Sequence, residues 1–154
     1  MKLKAILMTM VAMIIIPFSQ LNAQDYNAND IIGVWMNEDK DAHVEIYEDG
    51  GKYYGKIVWL LNPIDEETNK PKLDDENEDP SLRDRPVMGL LLLKNFVFDG
   101  DDEWEDGNIY DPKNGKTYSC YMEFEDEDDK STLKIRGYIG ISLIGRTTYW
   151  TAVK

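Results

Sequence analysis

Carboxylates are the most abundant chemistry-bearing groups in this sequence, and they come in runs. Asp74–Asp79 reads DDENED and Asp99–Asp106 reads DGDDEWED. Such runs offer hard oxygen ligands for calcium, or pairs of acids for hydrolysis. Neither use has the spacing it needs. Counting a calcium loop from Asp99 puts Trp104 where the turn requires glycine and Tyr110 where a glutamate should close the cage. A general acid needs burial to keep its proton at neutral pH, and these acids sit in polar surroundings. The runs therefore read as solvated loops. No metal ligand and no catalytic residue is assigned from them, and no cofactor is expected.

The remaining reactive groups are few. His43 is the single histidine. That excludes multi-histidine metal sites, and a Ser-His-Asp triad would have to use His43 with no nucleophile motif in support. Cys120 is the single cysteine, so no intramolecular disulfide can form. In YSCYMEF, Tyr118, Cys120, Met122 and Phe124 share one face of a strand, which makes Cys120 a buried, inert thiol rather than a nucleophile.

GISLIGRT, from Gly140 to Thr147, nearly spells a phosphate-binding loop, with Arg146 in place of lysine. That loop works only between a strand and a helix, whose N-terminal amide groups hold the phosphates. Thr147-Thr148-Tyr149-Trp150-Thr151 follows instead, β-branched and aromatic, and the chain ends soon after. The glycines read better as a sheet corner before a closing strand.

The elements that must position these groups are strands. Helical periodicity is scarce, whereas alternation and turn signals recur. GVWMN reads as a first strand. AHVEIYEDGGKYYGKIVWLL reads as a hairpin turning at Asp49-Gly50, where positive φ is cheap. Residues 62–85 are acidic and contain Pro63, Pro71 and Pro80, a long connection of the functional or mobile kind. GLLLLKNFVF, GNIYDP, TYSCYMEFE, TLKIRGYIG and RTTYWTAV supply further strands, with DGDDEWED and DPKNGK as connections. About eight antiparallel strands in meander order hide their edges by closing into an up-and-down barrel; a two-sheet sandwich is the alternative. Such a barrel either fills with side chains or holds one small ligand.

At the N-terminus, Lys2 and Lys4 precede an apolar run from Ala5 to Phe18, and Ala23 is a small residue suited to cleavage. That order is a secretory signal, here residues 1–23, leaving a single domain over 24–154 in the periplasm or outside the cell. No integral membrane segment remains after cleavage. The formal charge is −13 for the chain. Such a surface repels phosphate backbones and argues against nucleic acid as a partner. The oligomeric state is left open.

Gly33-Val34-Trp35 looks like the opening motif of lipocalin-type barrels, in which the tryptophan plugs one end and an arginine of the last strand packs on its ring. Arg146 is the candidate partner, by cation–π stacking. GVWMNEDKDAHVEIYEDGGKYYGKIVWL, DPSLRDRPVMGLLLL, GNIYDPKNGKTYSC and LKIRGYIGISLIGRTTYW together resemble the bacterial exported family called domain of unknown function 2147. The resemblance covers nearly the whole mature chain and implies a small, exported, lipocalin-like barrel. Relatives often carry cysteines around the first hairpin, where this chain has Asp49 and Tyr54. The family pattern also repeats loop residues that match Asn77, Asp79, Pro80, Arg83, Pro86 and Gly89.

Together these features favour a non-catalytic barrel that binds a small amphipathic ligand or an envelope component. Trp59, Asn77, Asp79, Arg83, Arg85 and Tyr138 are the candidate ligand residues; Gly33, Trp35 and Arg146 form the expected structural plug. Arg83 and Arg85 would otherwise bridge to Asp79 and Asp84. The rival readings are an interaction module of the cell envelope and a hydrolase using loop carboxylates.

Overall fold

The computed structural model describes residues 26–154. The expected leader, residues 1–23, lies outside the described residues. Strands β1 (Gly33–Met36), β2 (Ala42–Asp49), β3 (Lys52–Leu60), β6 (Leu91–Phe98), β7 (Glu103–Asp111), β8 (Lys116–Asp126), β9 (Asp129–Tyr138) and β10 (Gly145–Ala152) close into one antiparallel barrel. Each pairs with its neighbour in sequence, and β10 returns to β1 through Trp35↔Ala152 and Met36↔Thr151. Closure leaves no free edge, and it decides against the sandwich. The connection between β3 and β6 carries a short hairpin, β4 (Ile64–Asp65) with β5 (Lys70–Pro71), and a 3-10 turn at Pro80–Leu82. Among the described residues no helix is long and apolar enough to cross a membrane.

The meander fixes two ends. Tyr26–Ile32, the β2–β3, β6–β7 and β8–β9 turns and the C-terminus lie at one end. The β1–β2 loop, residues 61–90, and the β7–β8 and β9–β10 loops lie at the other.

Inward residues follow the period of two. In β9, Leu133 and Ile135 are buried while Lys134 and Arg136 lie outside. At the first end the interior is solid. Trp104, Phe96, Met122, Leu133 and Ile46 are essentially inaccessible, and Trp104 meets Phe124 edge-on at 5.6 Å between ring centroids. Each such side chain contributes about 1.5–3 kcal/mol by leaving water. The N-terminal segment seals this end. Trp35 Nε1 donates to the Ile31 carbonyl and Trp104 Nε1 to the Ala28 carbonyl, both at 2.9 Å. Tyr26 stacks on Phe124 beneath Lys130, which also pairs with Asp30.

One boundary differs from the sequence reading. DGDDEWED is not all connection: β7 begins at Glu103, and Trp104 belongs to the core. A bulge explains it. Asp106 takes φ 58°, and the pairing with β8 shifts between Trp104 and Gly107. Adjacent acids can then face solvent without turning Trp104 out. Gly107 is required because a Cβ there would lie 2.4 Å from the Phe96 ring.

Candidate functional site

The second end is open. A cavity of about 1360 Å³ enters the barrel between the loops of that end. Its apolar wall comes from alternate residues of five strands, among them Ile57, Leu92, Ile109, Ile135 and Trp150. The aromatic floor described above stops it from running through the barrel. Tyr118 and Thr148 place hydroxyl groups on the wall.

The mouth is charged. Asp39, Asp41, Asp65, Glu67, Asp75 and Glu76 border it on the β1–β2 side and along residues 61–90. Lys113 reaches across from the β7–β8 loop to Asp39 at 2.7 Å and Asp41 at 3.2 Å. The hydrogen bond to Asp39 leads the effects that raise the Lys113 pKa. Burial pushes Asp41 upward, but hydrogen bonds from Asn37 and Lys113 outweigh it, and the net effect is to lower its pKa.

Arg146 stands at the start of β10, the strand next to β1 in the barrel. It shares the inward alternation of β10 with Thr148 and Trp150, lines the mouth, is exposed, and makes no ion pair among the described residues. The structure does not bring it to Trp35. Trp35 pairs with Ala152, six residues farther along β10, about 20 Å at ~3.4 Å per residue. Trp35 does sit in the sealed end, but Ile31 and Phe124 are its partners there, and the cation at that end rides on Tyr26 instead. GISLIGRT is thus the β9–β10 connection with the first residues of β10.

The other sequence candidates separate into two groups. Tyr138, at the end of β9, borders the mouth. Trp59 does not line the cavity; its ring lies tilted against His43, 4.4 Å between centroids, its partner in the β2–β3 ladder. Asn77, Asp79, Arg83 and Arg85 lie apart from that cavity's wall, in a clamp that holds residues 74–85 against β7 and the β7–β8 turn; Asn77, Asp79 and Arg85 line a separate, smaller cavity of about 260 Å³ there. The centre of the clamp is Asp74, the first acid of the DDENED run, which is buried and not solvated. Asp74 is fully buried. Its Oδ1 accepts from Tyr110 Oη at 2.5 Å; its Oδ2 accepts from Asn77 Nδ2 at 2.8 Å, Arg85 Nε at 2.8 Å and Arg85 Nη2 at 2.7 Å. Burial, then the bond to Asp74, raises the Tyr110 pKa.

Arg83 donates to the Asn77 carbonyl at 2.7 Å, and Asp79 caps the 3-10 turn by accepting from Ser81 N and Oγ. The expected bridges to Asp79 and Asp84 are therefore replaced by Asn77 and Asp74. Gly115 fits under the clamp only because it lacks a side chain: a Cβ would lie 1.8 Å from the Glu76 carbonyl oxygen. DDENED followed by two arginines was the available signal, but only burial distinguishes Asp74 from its neighbours.

This geometry bears on chemistry. Asp74 is a carboxylate beside an arginine, yet both its oxygens are engaged. Asp102 and Glu103 have raised pKa values, through burial and then through neighbouring acids, but they sit at the sealed end. Burial pushes the Cys120 thiol far up, leaving it protonated. No group of three or more His, Cys, Asp or Glu among the described residues is arranged to hold a metal ion.

The chain belongs to the bacterial family described as "Uncharacterized protein conserved in bacteria (DUF2147)", whose model matches residues 33–152. Among solved structures it is similar to HP1028 from the human pathogen Helicobacter pylori, a protein assigned to the lipocalin family. The TM-score is 0.66 at 21% sequence identity, over 80% of this chain and 82% of that one. At that identity the likeness shows a shared fold. No curated protein matches the sequence.

Proposed function

We propose that this protein binds a small amphipathic molecule in the open half of its barrel, after export from the cytoplasm. The observation that carries the reading is the cavity itself: deep, apolar-walled, closed at one end and wet at the other. A ligand's tail lies along Ile57, Ile109, Ile135 and Trp150, where its burial displaces water from apolar surface. Its polar head stays at the mouth, within reach of Arg146. An unpaired guanidinium at the rim of an apolar cavity suits a carboxylate or phosphate head. The likeness in fold to a protein of the lipocalin family supports the binding role, and the charged-apolar-small order of residues 1–23 supports export.

Native mass spectrometry of the protein purified from its own cell envelope tests the reading directly. A retained mass, released by organic solvent and replaced by a single-chain fluorescent carboxylate, is the expected result. Absence of any retained mass, together with no saturable binding of that probe, overturns it. Thr148→Trp fills the cavity from its wall and should abolish probe binding while the barrel still melts cooperatively.

A further inference from the structure

The β9–β10 loop is the least buried apolar segment among the described residues. Ile139, Ile141, Leu143 and Ile144 are 68%, 57%, 85% and 69% exposed. Isolated apolar residues on a surface need no explanation, but a cluster at one loop tip marks an interaction site. Ile139 and Ile144 also line the cavity, so the tip and the cavity form one continuous apolar surface.

The electrostatics of this hairpin oppose those of the rest of the molecule. From residue 130 to 154 the chain contains no Asp or Glu; Arg136 and Arg146 are the cations nearest the tip, while Lys130 and Lys134 pair with Asp30 and Glu123 farther down the barrel. The chain as a whole has a formal charge of −13. Arg136 and Arg146 flank the tip. Arg136 also shapes it, donating to the carbonyls of Ser142 and Leu143 and to Thr147 Oγ1. The acidic turns at Asp99–Asp102 and Glu127–Asp128 belong to the sealed end, away from the tip.

We infer that the β9–β10 hairpin docks on an anionic lipid surface, inserting Ile141 and Leu143 among the acyl chains. An apolar tip between basic residues is the pattern that sits at a charged bilayer interface. The mouth's carboxylates lie on the other loops, so the surface is met edge-on, hairpin first. Ile139 and Ile144 then join the bilayer to the cavity, and an amphiphile passes between them without crossing water. The transfer step rests on the ligand reading above; the docking does not.

The test uses the chain from Gln24, which contains the whole closed barrel but lacks the apolar run Ala5–Phe18 that would bind lipid by itself. It is sedimented with vesicles of phosphatidylcholine, and with vesicles in which about one lipid in three is phosphatidylglycerol. The expected result is co-sedimentation with the anionic vesicles that weakens as salt rises. Leu143→Asp and Ile141→Asp should each lower that binding about tenfold or more. Neither residue lines the cavity, so both variants should keep wild-type melting and wild-type binding of the soluble carboxylate probe. Failure of the wild type to sediment, equal sedimentation with both vesicles, or unchanged binding by Leu143→Asp overturns the inference. A wild-type dimer in solution that Leu143→Asp dissociates, without vesicle binding, also overturns it and assigns the tip to a second copy. Loss of probe binding in the wild type strikes the ligand reading instead and leaves the docking result to stand alone.

Discussion

At one end of the barrel, Trp35, Trp104 and Phe124 meet beneath a chain segment that donates its own carbonyls to the indoles. At the other end, the same inward alternation carries Ile109, Ile135 and Thr148 around the cavity. Both ends are products of one strand pattern. The difference lies in side-chain size and in what the connections do. The sealed end has short turns and a docked N-terminal segment; the open end has a long connection pinned to the outer wall. The Asp74 clamp thus spends its hydrogen bonds on keeping residues 74–85 against β7, beside the cavity rather than across it. Tight packing is concentrated at one end and the cavity opens at the other.

Substitutions at the two ends should therefore have unequal effects. Trp104→Ala removes the largest fully buried side chain and its bond to Ala28, and should cost about 3–5 kcal/mol in urea unfolding. A loss under ~1 kcal/mol would erase the distinction between the ends. Asp74→Ala leaves Arg85 without its carboxylate and Tyr110 and Asn77 without their acceptor, and should cost about 3 kcal/mol. Asp74→Asn keeps an acceptor and should cost less; equal losses would show that packing, not charge pairing, holds the clamp.

Cys120 sharpens the comparison through pH. Its folded thiol titrates above its ordinary 9.0 because it is buried. The folded state therefore keeps a proton that the unfolded chain releases above about pH 9. The corresponding stability is fully present at neutral pH and is lost as pH rises beyond 9. Cys120→Ser should flatten that alkaline decline, as read by denaturant midpoints, and native protein should resist maleimide at pH 8. Rapid labelling of the native state would mean that the barrel interior opens. The smallest effect belongs to the open end. Arg146→Ala should move stability by less than ~0.5 kcal/mol while weakening binding of a carboxylate probe. A clear fall in melting temperature would show that Arg146 has a packing role.

Much of the fold was legible because alternation is a local property. GVWMN, AHVEIYED, TYSCYMEFE and RTTYWTAV each display a two-residue period and a bounding turn, and each became a strand at those positions. Where a bulge broke the period, at Trp104–Gly107, the reading lost the start of β7. The candidate site was less legible. Arg83 and Arg85 stood out by charge, yet their partners, Asn77 and Asp74, depend on how a loop folds back on β7. Arg146 is the unusual residue of GISLIGRT, but its environment depends on register, which places it at the mouth.

The sequence alone determined a β-rich chain of about eight short antiparallel strands, a single cysteine on the inner face of its strand, a strongly acidic composition and a single histidine. Those properties follow from residue type and short-range spacing. Only the tertiary structure decided that Asp74 is buried while its neighbours are solvated, and that the long connection grips the outer wall. It also decided that Arg146 faces a cavity rather than a tryptophan. Closing the barrel sets the register of β10 against β1, and that long-range pairing separates Arg146 from Trp35 by most of a strand's length.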